Sequence, residues 1–229
     1  MLFRSARGKV SPSRAVLLTF GFLSIVIGVL FMIRRGNFKR LFAYSSVEHM
    51  GIIAVALGFG GLLGLYGALL QTLNHALAKA VLFLTSGDVA LRYKTREAAG
   101  VRGLLAAVPV TGGALLLGSF AVLGSPPFGL FLSELTIVRA GFATSSPVFP
   151  LLLLALLAVA FVAFARTTTG MVTGEAPADE PAGGPYRGRA VRLAAAAPLG
   201  VGLAVLLVLG LWIPAGLDTV IRHCVAVMS

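Results

Sequence analysis

Glu48, His49, His75, Lys79, Asp88, Glu134 and Arg139 stand inside or at the edge of runs long and apolar enough to cross a bilayer. A charge near the middle of a membrane costs at least ~2.5 to 3.5 kcal/mol on insertion scales, so such residues mark water-filled paths and proton relays. The residue types suit that chemistry. An imidazole accepts on one nitrogen while donating from the other, and a desolvated lysine loses much of its preference for the charged form. Gln71, His75 and Lys79 recur at intervals of four, with Ser86 seven beyond Lys79, which at 3.6 residues per turn sets them on one stripe of a helix. A lysine in mid-helix is poor packing glue, so the stripe reads as a proton chain rather than as a set of helix-packing hydrogen bonds.

Glu134 follows Pro126-Pro127, where two prolines must break the helix and leave half-helix ends that create local dipoles and admit water. The competing role for Glu134 is an ion pair with Arg139. Glu48 and His49 read as lying near the cytoplasmic end of their segment, with Glu48 snorkelling toward Lys39 or Arg40 as the competing role. Asp88 and Arg139, close to segment ends, read as structural anchors. His223 and Cys224 have no further partner at metal-ligand spacing, so no metal site is expected. A single cysteine, Cys224, excludes an internal disulfide and a cysteine-ligated iron-sulfur cluster. No cofactor is expected in this chain, and any electron transfer belongs to another subunit.

The elements that must position these groups are membrane helices. Hydrophobic residues make up 58% of the 229 and charged residues 12%, and the mean hydropathy is +0.96, far from the mixture of a soluble domain. The net charge of +11 does not point to nucleic acid, because the basic residues lie in short runs between apolar stretches. The expectation is an all-α, polytopic bundle of six transmembrane segments: 15–33, 47–65, 68–91, 104–142, 148–165 and 193–213. The fourth is discontinuous at Gly124-Ser125-Pro126-Pro127. The membrane domain is thus expected over 15–213, with an exposed loop at 166–192 and a tail at 214–229.

Arg34, Arg35, Lys39 and Arg40, then Arg92, Lys94, Arg96 and Arg102, then Arg166, Arg187, Arg189 and Arg192 fill alternate connections. Those loops are expected on the cytoplasmic side and both termini on the other. Arg4, Arg7, Lys9 and Arg14 run against that rule, so 1–14 reads as an anomalous basic segment.

Three strings then carry a resemblance: FKRLFAYSSVEHMG at 38–51, LNHALAKA at 73–80, and GSPPF at 124–128 followed by Ser133-Glu134. They resemble, in order and spacing, the antiporter-like subunits of respiratory complex I and of Mrp antiporters. The Glu48-His49 pair is most similar to the version in the membrane arm of hydrogenase-four and formate hydrogenlyase complexes. The resemblance implies a longer parent built on inverted repeats, of which this chain matches the C-terminal part, as from a truncated gene or an incomplete reading frame. It implies that Glu48, His49, His75, Lys79 and Glu134 form a proton-transfer path in a multi-pass protein of a prokaryotic inner membrane. The partners it implies are other membrane-arm subunits, the lipid bilayer and protons, with redox chemistry done elsewhere. The alternatives are a cation/proton antiporter subunit without redox chemistry and a truncated fragment without function.

Overall fold

A computed structural model describes residues 11–34, 36–174 and 189–228. Among them every regular element is helical, in the order α1 (Pro12–Ile33), α2 (Phe38–Phe59), α3 (Gly61–Tyr93), α4 (Leu104–Ala107), α5 (Pro109–Val122), α6 (Gly129–Thr144), α7 (Val148–Val172), α8 (Arg189–Leu211) and α9 (Ala215–Met228). α1, α2, α3 and α7 are each long and apolar enough to cross a membrane, and the bent pair α8 and α9 makes up to five. Large apolar side chains such as Phe20, Leu30, Leu151 and Val162 face outward, while polar ones collect inside. That inversion suits a bundle surrounded by lipid.

α1 starts at Pro12, whose missing N–H costs nothing in a first turn, so Pro12–Arg14 belong to the helix rather than to the basic segment read at 1–14. Residues 1–10 lie outside the described residues. Arg14 donates from Nε to the carbonyl of Gly58 at 2.9 Å and from its guanidinium to the carbonyl of Phe59. It thereby covers carbonyls that the end of α2 leaves open.

α1 and α2 pack backbone to backbone through glycines. A methyl group at Gly28 would stand 2.8 Å from Cβ of Glu48, and one at Gly51 would stand 2.9 Å from the nitrogen of Ile25. Small residues at such crossings replace the hydrophobic drive that lipid abolishes.

α2 corrects the expected boundary. It begins at Phe38, well before Val47, because Asn37 caps it by accepting from the backbone nitrogens of Lys39 at 3.0 Å and Arg40 at 3.2 Å. Lys39 and Arg40 thus occupy the first helical turn, where long cationic stems are tolerated, and a hydropathy count starts too late. Glu48 and His49 consequently lie in the middle of the helix and not at its cytoplasmic end.

α3 runs unbroken for 33 residues, a length of about 50 Å against a hydrocarbon core of roughly 30 Å. It packs on α2, α5, α6, α8 and α9, so its polar stripe is enclosed. The loops at its end and at the start of α2 are tied together: Phe38 N donates to Arg96 O at 3.0 Å and Ala98 N to Gly36 O at 2.8 Å. Two of the three basic connections therefore share one end of the bundle.

The stretch read as a discontinuous fourth segment is divided into α4, α5 and α6. The principal break falls between Val122 and Gly129 at the two prolines, with Gly124 at φ +61°. α7 takes Arg166–Val172, the first residues of the stretch read as loop, and α8 takes its last ones from Arg189; 175–188 lie outside the described residues. The segment read as a tail is the helix α9, turned 72° from α8. Its buried residues Ile221 and Val225 join Leu65 and Leu70 of α3 in a small apolar cluster.

Candidate functional site

Three elements aim polar side chains at one another in the middle of the bundle. α2 supplies Ser45, Glu48 and His49, whose spacing of three and four residues puts them on one face. α3 supplies Gln71, Asn74, His75 and Lys79, also at helical spacing, and α6 supplies Ser133 and Glu134 just past the break. Glu48, His49, His75 and Lys79 are buried, and Gln71, Asn74 and Ser133 are completely enclosed.

At one end, the Lys79 ammonium donates to the carbonyl of Phe42 at 2.8 Å and to the hydroxyl of Ser45. It lies within electrostatic reach of Glu48 without forming a contact ion pair. Among the described residues, the ion pairs are His49 Nε2 to Glu48 Oε2 at 3.7 Å and Arg222 to Asp218. The rings of His49 and His75 meet at 4.8 Å between centroids. Gln71 then joins α2 to α6: its Nε2 donates to His49 Nδ1 at 3.1 Å and reaches Glu134 Oε1 at 3.5 Å, while its Oε1 accepts from Ser133.

Ser45, Glu48, His49 and Glu134 also line one small cavity of about 10 Å³, bordered by Val122 and Leu123 at the break and by Leu157 and Phe164 of α7. That is the room one water molecule needs, with enough polar partners to hold it. The break creates the opening on this side. Glu134 fits because position 124 has no side chain; a methyl group there would stand 2.8 Å from its carboxyl carbon.

Each sequence-predicted site residue is therefore accounted for. Glu48, His49, His75, Lys79 and Glu134 are brought into one constellation. Glu48 does not snorkel to Lys39 or Arg40, because it sits mid-helix and faces inward. Glu134 does not pair with Arg139, which is exposed; its partner is Gln71. Asp88 stands apart and accepts from Thr111. His223 and Cys224 are exposed, and no cluster of metal-ligating side chains occurs among the described residues.

Residues 7–161 match the family described as NADH:quinone oxidoreductase/Mrp antiporter, transmembrane. The chain belongs to that family. It is 38% identical over 141 residues to a hydrogenase-4 component F homolog of Methylacidiphilum infernorum, an alignment covering 62% of this chain and 30% of that protein. It is 36% identical over 129 residues to NADH-quinone oxidoreductase subunit N of Desulforudis audaxviator, covering 56% of this chain and 26% of that protein. The chain thus spans under a third of the length of these relatives. Among solved structures, a chain of the Mrp complex from Dietzia sp. DQ12-45-1b superposes with a TM-score of 0.78 at 23% identity, covering 94% of this chain and 46% of that one, which shows a shared fold.

Within this family member, the residues that sequence reasoning missed are the uncharged ones. Ser45 and the Phe42 carbonyl hold Lys79 from another helix. The signal for Ser45 was its place three residues before Glu48 on the same face. A main-chain carbonyl leaves no signal in a sequence. Asn74 is enclosed against Gly129 with both amide atoms lacking a hydrogen-bond partner, as does His75 Nδ1. Buried orphans of this kind belong to sites that rearrange or take up water.

Proposed function

We propose that the chain serves as a proton-translocating part of a membrane subunit in a hydrogenase or NADH-quinone-oxidoreductase-like complex. The supporting observation is that Glu48 and Glu134, on α2 and α6, line the same water-sized cavity, with Lys79 one hydroxyl away through Ser45. The proton route runs from Lys79 to Ser45 and on through the cavity that Ser45 shares with Glu48, His49 and Glu134, which has about the room of one water molecule. His75, whose ring lies tilted against that of His49, borders that route. Lys79 is buried and held by neutral oxygens rather than by a contact ion pair.

In this reading the bundle crosses the membrane six times: α1, α2, α3, the broken pair α5 and α6, α7, and α8 with α9. The basic connections face the cytoplasm of a prokaryote and both termini face the other side. The membrane domain extends from α1 through α9, beyond the 15–213 read from the sequence, with the connection between α7 and α8 on the cytoplasmic side, and the outward apolar faces meet lipid and other membrane-arm subunits. Redox chemistry, where present, belongs to those partners.

The test is proton uptake by vesicles carrying the intact complex. Lys79→Ala is expected to abolish translocation while insertion and assembly persist, whereas Asp88→Asn, outside the constellation, leaves most of it. Parental acidification rates in Lys79→Ala would show that the row is packing and not path. The family also spans Mrp antiporters. A flux that needs a sodium gradient and no redox substrate would transfer the site to a cation/proton antiporter.

A further inference from the structure

Among the described residues of the constellation, Asn74 is completely enclosed and yet neither its amide oxygen nor its amide nitrogen has a hydrogen-bond partner. The amide lies against the backbone of Gly129, the first residue of α6. A methyl group at that position would stand 2.8 Å from the side-chain carbonyl carbon of Asn74 and 3.0 Å from its nitrogen, with the amide oxygen nearer still. The Cα–Cβ direction of a helical residue leans toward the helix N-terminus. Asn74 therefore fills the rim of α6 beside its first N–H groups.

Those N–H groups need an acceptor. The first turn of a helix has donors with no partner inside the helix, and bulk water, the usual remedy, is absent from the hydrocarbon depth of a membrane. α6 supplies no cap of its own: the residue before it is Phe128, whose side chain carries no oxygen, and no side chain caps the turn. Phe131 N turns back to the Phe128 carbonyl at 3.1 Å, which leaves the N–H groups of Gly129 and Leu130 to be filled. The break is held from α8 as well, where Gly210 closes on the Pro127 carbonyl with no room for a methyl group. A buried acceptor without a donor thus stands beside helix-start donors without an acceptor.

We propose that Asn74 is the cap of α6, supplied by α3 from across the bundle. A turn about its side-chain torsions lets the amide oxygen accept from the N–H groups of Gly129 and Leu130. Asparagine ordinarily does this from the position just before a helix, which here is occupied by phenylalanine. The same contact accounts for glycine at 129, since any side chain there would take the space that the amide fills. For its consequence the inference rests on the proton-translocating reading. Asn74 immediately precedes His75 on α3, and Glu134 lies five residues into α6 after Gly129, so the cap sets where the half-helix bearing Glu134 stands against the α3 stripe. Asn74 is a positioning residue and exchanges no proton.

The experiment separates capping from packing, because the two predict opposite orders. Leucine has nearly the shape of asparagine and no acceptor, whereas aspartate and serine keep one. Hydrogen exchange of the full chain in lipid nanodiscs is read at single amides by fragmentation mass spectrometry. Asn74→Leu is expected to speed exchange at Gly129 and Leu130 about fivefold, the scale of one lost cap, while Asn74→Asp stays within about twofold of the parent. Should Asn74→Asp not insert, Asn74→Ser supplies the acceptor in a neutral group. Exchange no faster in Asn74→Leu than in the parent would overturn the cap, as would an acceptor-bearing variant that exchanges as fast as Asn74→Leu. In the intact complex, Asn74→Leu is expected to lower proton uptake severalfold and the acceptor-bearing variant to restore it. Unchanged uptake in Asn74→Leu would overturn the positioning role. The exchange readout does not depend on proton flux, so failure of the transport reading, seen in Lys79→Ala, is a separate outcome.

Discussion

The centre of the bundle and the joint between α3 and α9 use the same residue types to opposite ends. At the joint, Asp218 accepts from Tyr66 at 2.7 Å and from Arg222 at 2.6 Å, the arginine lies over the tyrosine ring, and the Arg222 side chain is 70% exposed. Every charge there has its partner and water besides. In the centre, Lys79 and Glu48 are buried and Glu134 is half-buried, and the carboxyl groups and the amine do not touch. A buried ionisable group without a contact partner is expensive, which is what sets this cluster apart from the joint. Pairing and exposure thus separate an anchor from working chemistry better than residue type does.

The largest effect that would break this contrast comes from the wall behind Glu48. A side chain at Gly28 meets Cβ and N of Glu48 at 2.8 and 2.9 Å and the carbonyl of Tyr44 at 3.0 Å, all held by backbone. Gly28→Val must therefore part α1 from α2. Overpacking of this kind costs about 1 to 3 kcal/mol, and here the upper end is expected because no side chain can give way. Thermal melting of the detergent-solubilised chain measures it. A melting point within a degree of the parent would show that α1 does not hold Glu48 in place.

Gly124→Ala is expected to cost less overall and to act more locally. The position has φ +61°, a left-handed conformation that disfavours a side chain by roughly 1 to 2 kcal/mol. The added methyl also presses on the Glu134 carboxyl. Stability should fall modestly while proton uptake by vesicles falls severalfold. Unchanged uptake would mean that Glu134 has room to spare.

The fold and the site were unequally legible. The stripe of α3 declared itself because 3.6 residues per turn converts the spacing of Gln71, His75 and Lys79 into one face, and the helix is long enough to make the pattern clear. The break at Pro126-Pro127 was legible because proline removes donors and clashes with the preceding turn. The start of α2 was not, since Lys39 and Arg40 interrupt the hydropathy signal while Asn37 caps the helix ahead of them. That one shift moved Glu48 and His49 from an interfacial reading to the centre. Contacts such as Lys79 with Ser45 and Gln71 with Glu134 join residues far apart in the chain, where no periodicity speaks. The α9 helix escaped because it is short and its apolar residues Ile221 and Val225 are buried mainly against the distant α3.

The smallest effect is expected at the joint itself. Asp218→Asn removes a carboxylate whose arginine partner is largely in water, and exposed pairs contribute little once side-chain ordering and salt screening are counted. The asparagine still offers Tyr66 an acceptor of similar shape. The docking of α9 rests instead on Ile221 and Val225 against Leu65 and Leu70, which the substitution leaves alone. The melting temperature should therefore move by less than about 2 °C, and proton uptake should stay at the parental rate. A large loss of uptake in Asp218→Asn would place the joint on the proton route and erase the distinction between the paired and the unpaired charges of this molecule.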